Sequence, residues 1–265
     1  MFKLINNFIL TGCASIITKK TFILLYLVSQ SFLLSSQTSL YKTWVGEGLE
    51  VLELGEKRAK YTYDVEPLNY LVELEEDSVL VLTTSQWRSG KAEQEVKKLA
   101  FDILRLTKDS LVLAPLNHKA WRALSKNEQY HFVSKSSLYD SSFHFRKIRL
   151  YVYPSERSTE PGIEMEIDSS GYLCFHTTQR IGVLKGTYLA QLSDELFRKL
   201  TTLAQTAPLS KLPEQFGTSP GIEIYEIIID FDDNQRIAKG NISPYLYKPF
   251  IDFLLSIYLK AELKQ

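Results

Sequence analysis

The pattern of apolar and polar residues changes character along the chain. After an apolar N-terminal stretch, the residues from Tyr41 to about Leu116 fall into short apolar runs between short polar breaks, the rhythm of strands. Strands are expected at residues 43–45, 49–54, 59–65, 70–74, 79–84, 99–106 and 110–116. In residues 60–65, Tyr61, Tyr63 and Val65 alternate with Lys60, Thr62 and Asp64, which marks a half-buried strand. Breaks such as Gly55-Glu56-Lys57 and Arg88-Ser89-Gly90-Lys91 separate the runs, and no helical period intervenes. That order argues for an antiparallel sheet, rolled or closed into a barrel.

Residues 119–142 are polar and irregular and read as a junction, with a short helix around 120–127. Beyond it the pattern is mixed. Residues 143–153 form a strand with Ile148, Leu150 and Val152 on one face. Residues 163–167 and 172–176 make a hairpin about Asp168-Ser169-Ser170-Gly171, where glycine supplies a positive φ. Residues 182–192 are extended. Ser193 caps a helix that opens with Asp194-Glu195. Its Leu196, Phe197, Leu200, Leu203 and Ala204 form one apolar stripe. Residues 222–231 are the strongest strand, and Asp232-Asp233-Asn234 turns it into residues 235–239. Pro249 opens a last helix, where its missing N–H costs nothing. The expected fold class is therefore α+β: a barrel-like or rolled-sheet β domain at 40–118, a junction at 119–142, and an α+β domain at 143–265 with two helices on an antiparallel sheet.

The N-terminal stretch bears on compartment. Lys19-Lys20 precedes an apolar run from Thr21 to Val28, and the run ends in Ser29-Gln30-Ser31-Phe32-Leu33-Leu34-Ser35-Ser36. A positive region, an apolar region and a small-residue exit are the parts of a secretory signal. The run is shorter than the roughly 20 residues that span a bilayer. Residues 1–39 are expected to be a signal peptide cut near 36–39, which makes the protein exported, to the periplasm, cell envelope or outside. An uncut membrane anchor is the other reading of the same run. Upstream, Leu10-Thr11-Gly12-Cys13 resembles the lipobox of bacterial lipoproteins, which implies Cys13 as a lipidation site if that start is used.

Charge narrows the partners. The chain carries 31 basic and 31 acidic residues. Losing Lys3, Lys19 and Lys20 with the leader leaves 28 against 31, a net of −3. No cluster of lysine or arginine stands out to collect phosphates, so nucleic acid is excluded as an expected partner. With Cys13 removed, Cys174 is alone and no internal disulfide forms.

Motifs that would carry chemistry fail on context. Gly217-Thr218-Ser219-Pro220-Gly221 fits Gly-x-Ser-x-Gly, but a nucleophile elbow follows a strand and precedes a helix. Here a strand follows, and Pro220 lacks the N–H that an oxyanion needs. Asp230, Asp232 and Asn234 match the first positions of a calcium loop, yet Gln235 stands where glycine belongs and Asn241 where glutamate belongs. A hairpin turn explains the same residues. His118, His131, His144 and His176 show no metal-ligand spacing, and Cys174 and His176 share a strand face with no third ligand near in sequence. No catalytic residue, metal or cofactor is expected.

Two resemblances add to this reading. Lys42-Thr43-Trp44, with the run from Phe101 through Asp102-Ile103-Leu104-Arg105-Leu106 to Leu113, resembles a lipocalin-like domain of exported bacterial proteins. The family's early Gly-x-Trp has Lys42 at the glycine position. The resemblance implies a barrel with Trp44 at its floor. Residues from Ile163 to Asp168, Gly182-Val183-Leu184-Lys185-Gly186-Thr187-Tyr188 and Pro244-Tyr245-Leu246 resemble a bacterial domain of unknown function, which implies a boundary and no chemistry.

The function expected is a non-catalytic binding or interaction protein of the cell envelope, whose partner is an envelope protein. The alternative is a carrier of a small apolar ligand held in the barrel by Trp44, Tyr61, Tyr63 and Val65. A hydrolase ranks third. The membrane enters only through the signal or a lipid anchor.

Overall fold

The structure, a computed structural model, describes residues 40–62, 68–87, 94–123, 126–155, 157–181 and 184–265. The signal and lipidation readings, with Cys13, Tyr63 and Val65, fall outside them. The first unit is a closed eight-stranded antiparallel barrel in sequential order. Its strands are β1 (Thr43–Gly46), β2 (Val51–Leu54), β3 (Arg58–Thr62), β4 (Leu68–Glu75), β5 (Val79–Trp87), β6 (Gln94–Leu106), β7 (Ser110–Pro115) and β8 (Tyr130–Ser134). Alternate residues point inward, and Trp44, Leu52, Leu80, Phe101, Leu111, Leu113 and Phe132 meet in one core.

The eighth strand corrects the expectation that residues 119–142 are irregular. β8 pairs with β7 and closes the ring onto β1 through Trp44↔Ser134 and Val45↔Val133. Tyr130, Phe132 and Ser134 are buried while His131 and Val133 face out. Two inward aromatics in a polar stretch leave little period to read. The helix of this segment, α1 (His118–Ala123), also starts earlier than expected. Asn117 Oδ1 accepts the N–H of Ala120 at 2.8 Å, the side-chain cap that fixes its start. Ala120 then enters the barrel core.

The second unit is a six-stranded antiparallel sheet. Its strands are β9 (Phe145–Tyr153), β10 (Ile163–Asp168), β11 (Tyr172–Ile181), β12 (Leu184–Gln191), β13 (Ile224–Phe231) and β14 (Asn234–Gly240), in spatial order β12-β11-β10-β9-β13-β14. The two hairpins legible in the sequence are joined because β9 pairs with β10 on one side and β13 on the other. Two helices follow, α2 (Asp194–Thr206) and α3 (Lys248–Ile257). Ser193 Oγ accepts the N–H of Leu196, as an N-cap should. Leu200 and Ala204 of α2 and Phe250, Ile251, Leu254 and Ile257 of α3 share a core with Ile148, Leu150, Met165, Phe175, Ile227 and Ile229 of the sheet. Val45 and Val51, on the outer wall of the barrel, belong to this second core. Tyr245 Oη donates to Glu53 Oε1 across the same contact at 2.9 Å.

Both edges of the sheet are partly covered. On β12, Leu189 and Lys264 exchange two backbone hydrogen bonds of 2.8 Å. On β14, Lys239 N–H donates to the Glu214 carbonyl at 2.9 Å and Phe216 N–H to the Lys239 carbonyl at 2.8 Å. Covering an edge removes a template for aggregation.

The β10–β11 turn depends on Gly171, whose φ is +79°. A Cβ there would lie 3.0 Å from the Phe197 ring of α2. Gly221 has nearly the same φ, +78°, and nothing within 4 Å of a Cβ. Gly171→Ala is expected to cost about 2 kcal/mol of stability and Gly221→Ala about 1. The difference between their urea midpoints reads the close contacts with Phe197 and Gln191 that only a Cβ at Gly171 would meet.

Candidate functional site

The barrel interior is the first place to look for a ligand. Trp44 is fully buried, its Nε1–H donates to the Leu40 carbonyl at 2.8 Å, and Lys42 Nζ sits 4.4 Å from its ring centroid. Tyr61 is buried among Leu52, Leu82, Leu99, Phe101, Leu113 and Phe132, and these residues enclose only about 10 Å³ of free space. That is room for about one water molecule. Among the described residues, side chains pack the space around Tyr61; an eight-stranded barrel either fills in this way or keeps room for one small ligand.

A second open feature lies on the six-stranded sheet. Ile148, Leu150 and Val152 of β9 are buried, so Lys147, Arg149, Tyr151 and Tyr153 point to the opposite face. Register carries that face across every strand. One row runs Ile237, Ile228, Arg149, Glu166, Cys174, Leu189, and the next runs Lys239, Glu226, Tyr151, Glu164, His176, Thr187. Tyr172, Leu189 and Ile237 on this face remain 42, 41 and 44% exposed. Single exposed apolar residues are ordinary, but here they share one face of the sheet with charged neighbours.

Charges on the face are matched in pairs. Lys147 Nζ is 2.7 Å from Glu166 Oε1, and Lys239 Nζ is 3.3 Å from Glu226 Oε2 and 4.6 Å from the Tyr153 ring. Arg149 Nη2 donates to Asp230 Oδ2, and Gln235 Nε2 donates to Asp230 Oδ1 at 2.6 Å. Burial works against ionisation of Asp230, but the bonds from Gln235 and Arg149 outweigh it and hold its carboxyl below the usual range. The same bond raises the Arg149 guanidinium. Arg149 Nε is buried and has no hydrogen-bond partner among the described residues. His176 Nδ1 lies 2.8 Å from Thr187 Oγ1.

At the β14 edge of this face a cleft of about 770 Å³ opens. Gln235, Ile237 and Lys239 of β14 with Ile224 of β13 form one side, and Glu214, Gln215, Phe216 and Thr218 form the wall. The wall is held by the pairing of residues 214–216 with Lys239 and by a bridge between Gly217 and Ile242. Extended backbone, mixed side chains and an open end suit a peptide or flexible chain better than a compact small molecule.

No protein-family model matches the chain, and no curated protein does. The site therefore stands on its geometry.

Residues singled out in the sequence take structural places. Ser219 lies in the loop before β13, where Asn241 brackets it by accepting its N–H at 2.7 Å and donating to its carbonyl at 2.8 Å. Asp230 faces along the sheet toward Arg149, Asp232 takes a turn conformation with φ +46°, and Asn234 begins β14. These three make a hairpin, as the turn reading expected. His118 stacks on Trp121 with centroids 5.6 Å apart, in a different unit from His176. Among the described residues, His, Cys, Asp and Glu form no group of three or more suited to a metal ion. Sequence reasoning missed the cleft because its two sides, residues 214–218 and 235–239, meet only through edge pairing. The alternation of Gln235, Ile237 and Lys239 was a signal that could have marked the floor.

Proposed function

We propose that the chain is a non-catalytic binding protein that presents the open face of the six-stranded sheet to a protein partner. The observation that carries this reading is the exposed sheet face, with its apolar residues among paired charges and a cleft at its edge. The barrel serves as a packed support whose outer wall, at Val45 and Val51, joins the core behind that face. The order of charged, apolar and small residues over 19–39 supports an exported protein that works in the cell envelope. The barrel's likeness to lipocalin-like domains supports a second reading, a small-ligand carrier, since a closed eight-stranded barrel is the architecture such carriers use. The small free space beside Tyr61 and Phe101, about 10 Å³, ranks it second.

A photo-reactive amino acid at exposed Thr187 tests the first reading in the native cell. It should give one discrete protein adduct, and the same group at Arg198, on the exposed side of α2, should give none. Absence of an adduct at Thr187, or equal adducts at both places, would remove the sheet face as the binding surface.

A further inference from the structure

The cover on the β14 edge stops short. Lys239 uses its outward N–H and carbonyl on residues 214–216. The alternation of an antiparallel hairpin turns the same groups of Ile237 and Gln235 outward, away from β13. The bridge of Gln215 to Lys239 is parallel, so a further rung would need the Leu212 carbonyl for the Ile237 N–H. The Leu212 carbonyl is instead taken by Arg236 Nε. Among the described residues no backbone hydrogen bond occupies the outward groups of Gln235 and Ile237. The cleft opens onto these two residues.

Charge adds a preference. The lining carries two cations, Arg236 and Lys239, against one carboxylate, Glu214. Lys239 is engaged with Glu226. Glu214 is 80% exposed and 3.8 Å from Arg236 Nη1, so it holds the guanidinium loosely. Arg236 therefore keeps N–H groups to offer an incoming carboxylate, a pairing its fork geometry favours.

We propose that this cleft binds an extended segment of a partner protein that bears a carboxylate side chain. Its backbone pairs with Gln235 and Ile237, its carboxylate meets Arg236, and its neighbouring side chains lie on the face of Ile237. The proposal rests on the reading of the chain as a binding protein and names the site and ligand class. The added strand continues a seam that residues 214–216 already make on β14, the mode by which strands augment a sheet edge. A second copy of this chain is the poorer occupant. A two-fold antiparallel contact using both Gln235 and Ile237 would set Arg236 against its own counterpart, and like charges directly opposite destabilise a strand pair.

The probe is a short blocked peptide of alternating threonine and valine with one central glutamate, titrated into the folded protein. Amide signals and hydrogen exchange of Gln235 and Ile237 report the pairing. The expected result is slowed exchange at both amides, and binding about tenfold weaker when glutamine replaces the glutamate. Methylating the peptide's backbone nitrogens should abolish binding with the protein untouched. In Arg236→Gln the preference for glutamate over glutamine should vanish. The proposal is overturned if millimolar peptide leaves both amides unchanged, if the methylated peptide binds equally, or if sedimentation shows self-association through this edge. A protein adduct at Thr187 with no peptide effect at Ile237 would sink the cleft while leaving the binding face intact.

Discussion

Trp44→Ala should destabilise the barrel by about 3–5 kcal/mol, the largest single effect expected in this chain. The indole is fully buried at the contact of β1 with β2 and β8. The substitution also removes one of the two donors to the Leu40 carbonyl, leaving the Lys42 N–H at 3.0 Å, and takes from Lys42 its ring. Trp44→Phe keeps one aromatic ring but loses the N–H and the rest of the indole volume, so a smaller cost of about 1–2 kcal/mol is expected for it. Urea unfolding followed by circular dichroism measures both. Equal costs for the two variants would show that the hydrogen bond to Leu40, and not packing, holds the strand.

Asp230→Ala should cost about 1–3 kcal/mol by leaving the Arg149 guanidinium without its carboxylate. The two side chains are only 17 and 26% exposed, so water compensates incompletely. Arg149 Nε already lacks a partner among the described residues, which adds to the penalty. Replacing both residues with apolar ones, Arg149→Met with Asp230→Leu, should recover most of the loss. The pH dependence has a definite sign. The folded Asp230 carboxyl is held low, so its stabilisation is complete above the unfolded value of about 3.9 and fades as pH falls through the lower folded value. The stability gap between the unsubstituted protein and Asp230→Ala should therefore be constant from neutral pH to about 5 and should close in acid. A gap unchanged in acid would mean that Asp230 acts through packing.

Local pattern revealed local structure. Seven barrel strands, the β10–β11 and β13–β14 hairpins and the capped helix at Ser193 were all legible, because period, turn residues and caps act over a few neighbours. Leu49 shows the limit of such reading. It extends the apolar run before β2, but its φ is +67° and it packs against the core of the second unit. Closure by β8, the joining of two hairpins through β9 and the sharing of Val45 and Val51 between units are all long-range pairings, which no spacing along the chain reports. The site was hidden for the same reason. Arg149 and Asp230 lie 81 positions apart and meet only because β9 and β13 are neighbours. The barrel residues Trp44 and Tyr61 were legible as inward-facing, but how completely their companions fill the interior depends on the packing of side chains from several strands.

The partial cover on β14 also has a colloidal meaning. On β14, the rungs without a backbone partner among the described residues are those of Gln235 and Ile237. Two rungs can seat one guest, yet they are too few to start the endless stacking that makes fibres.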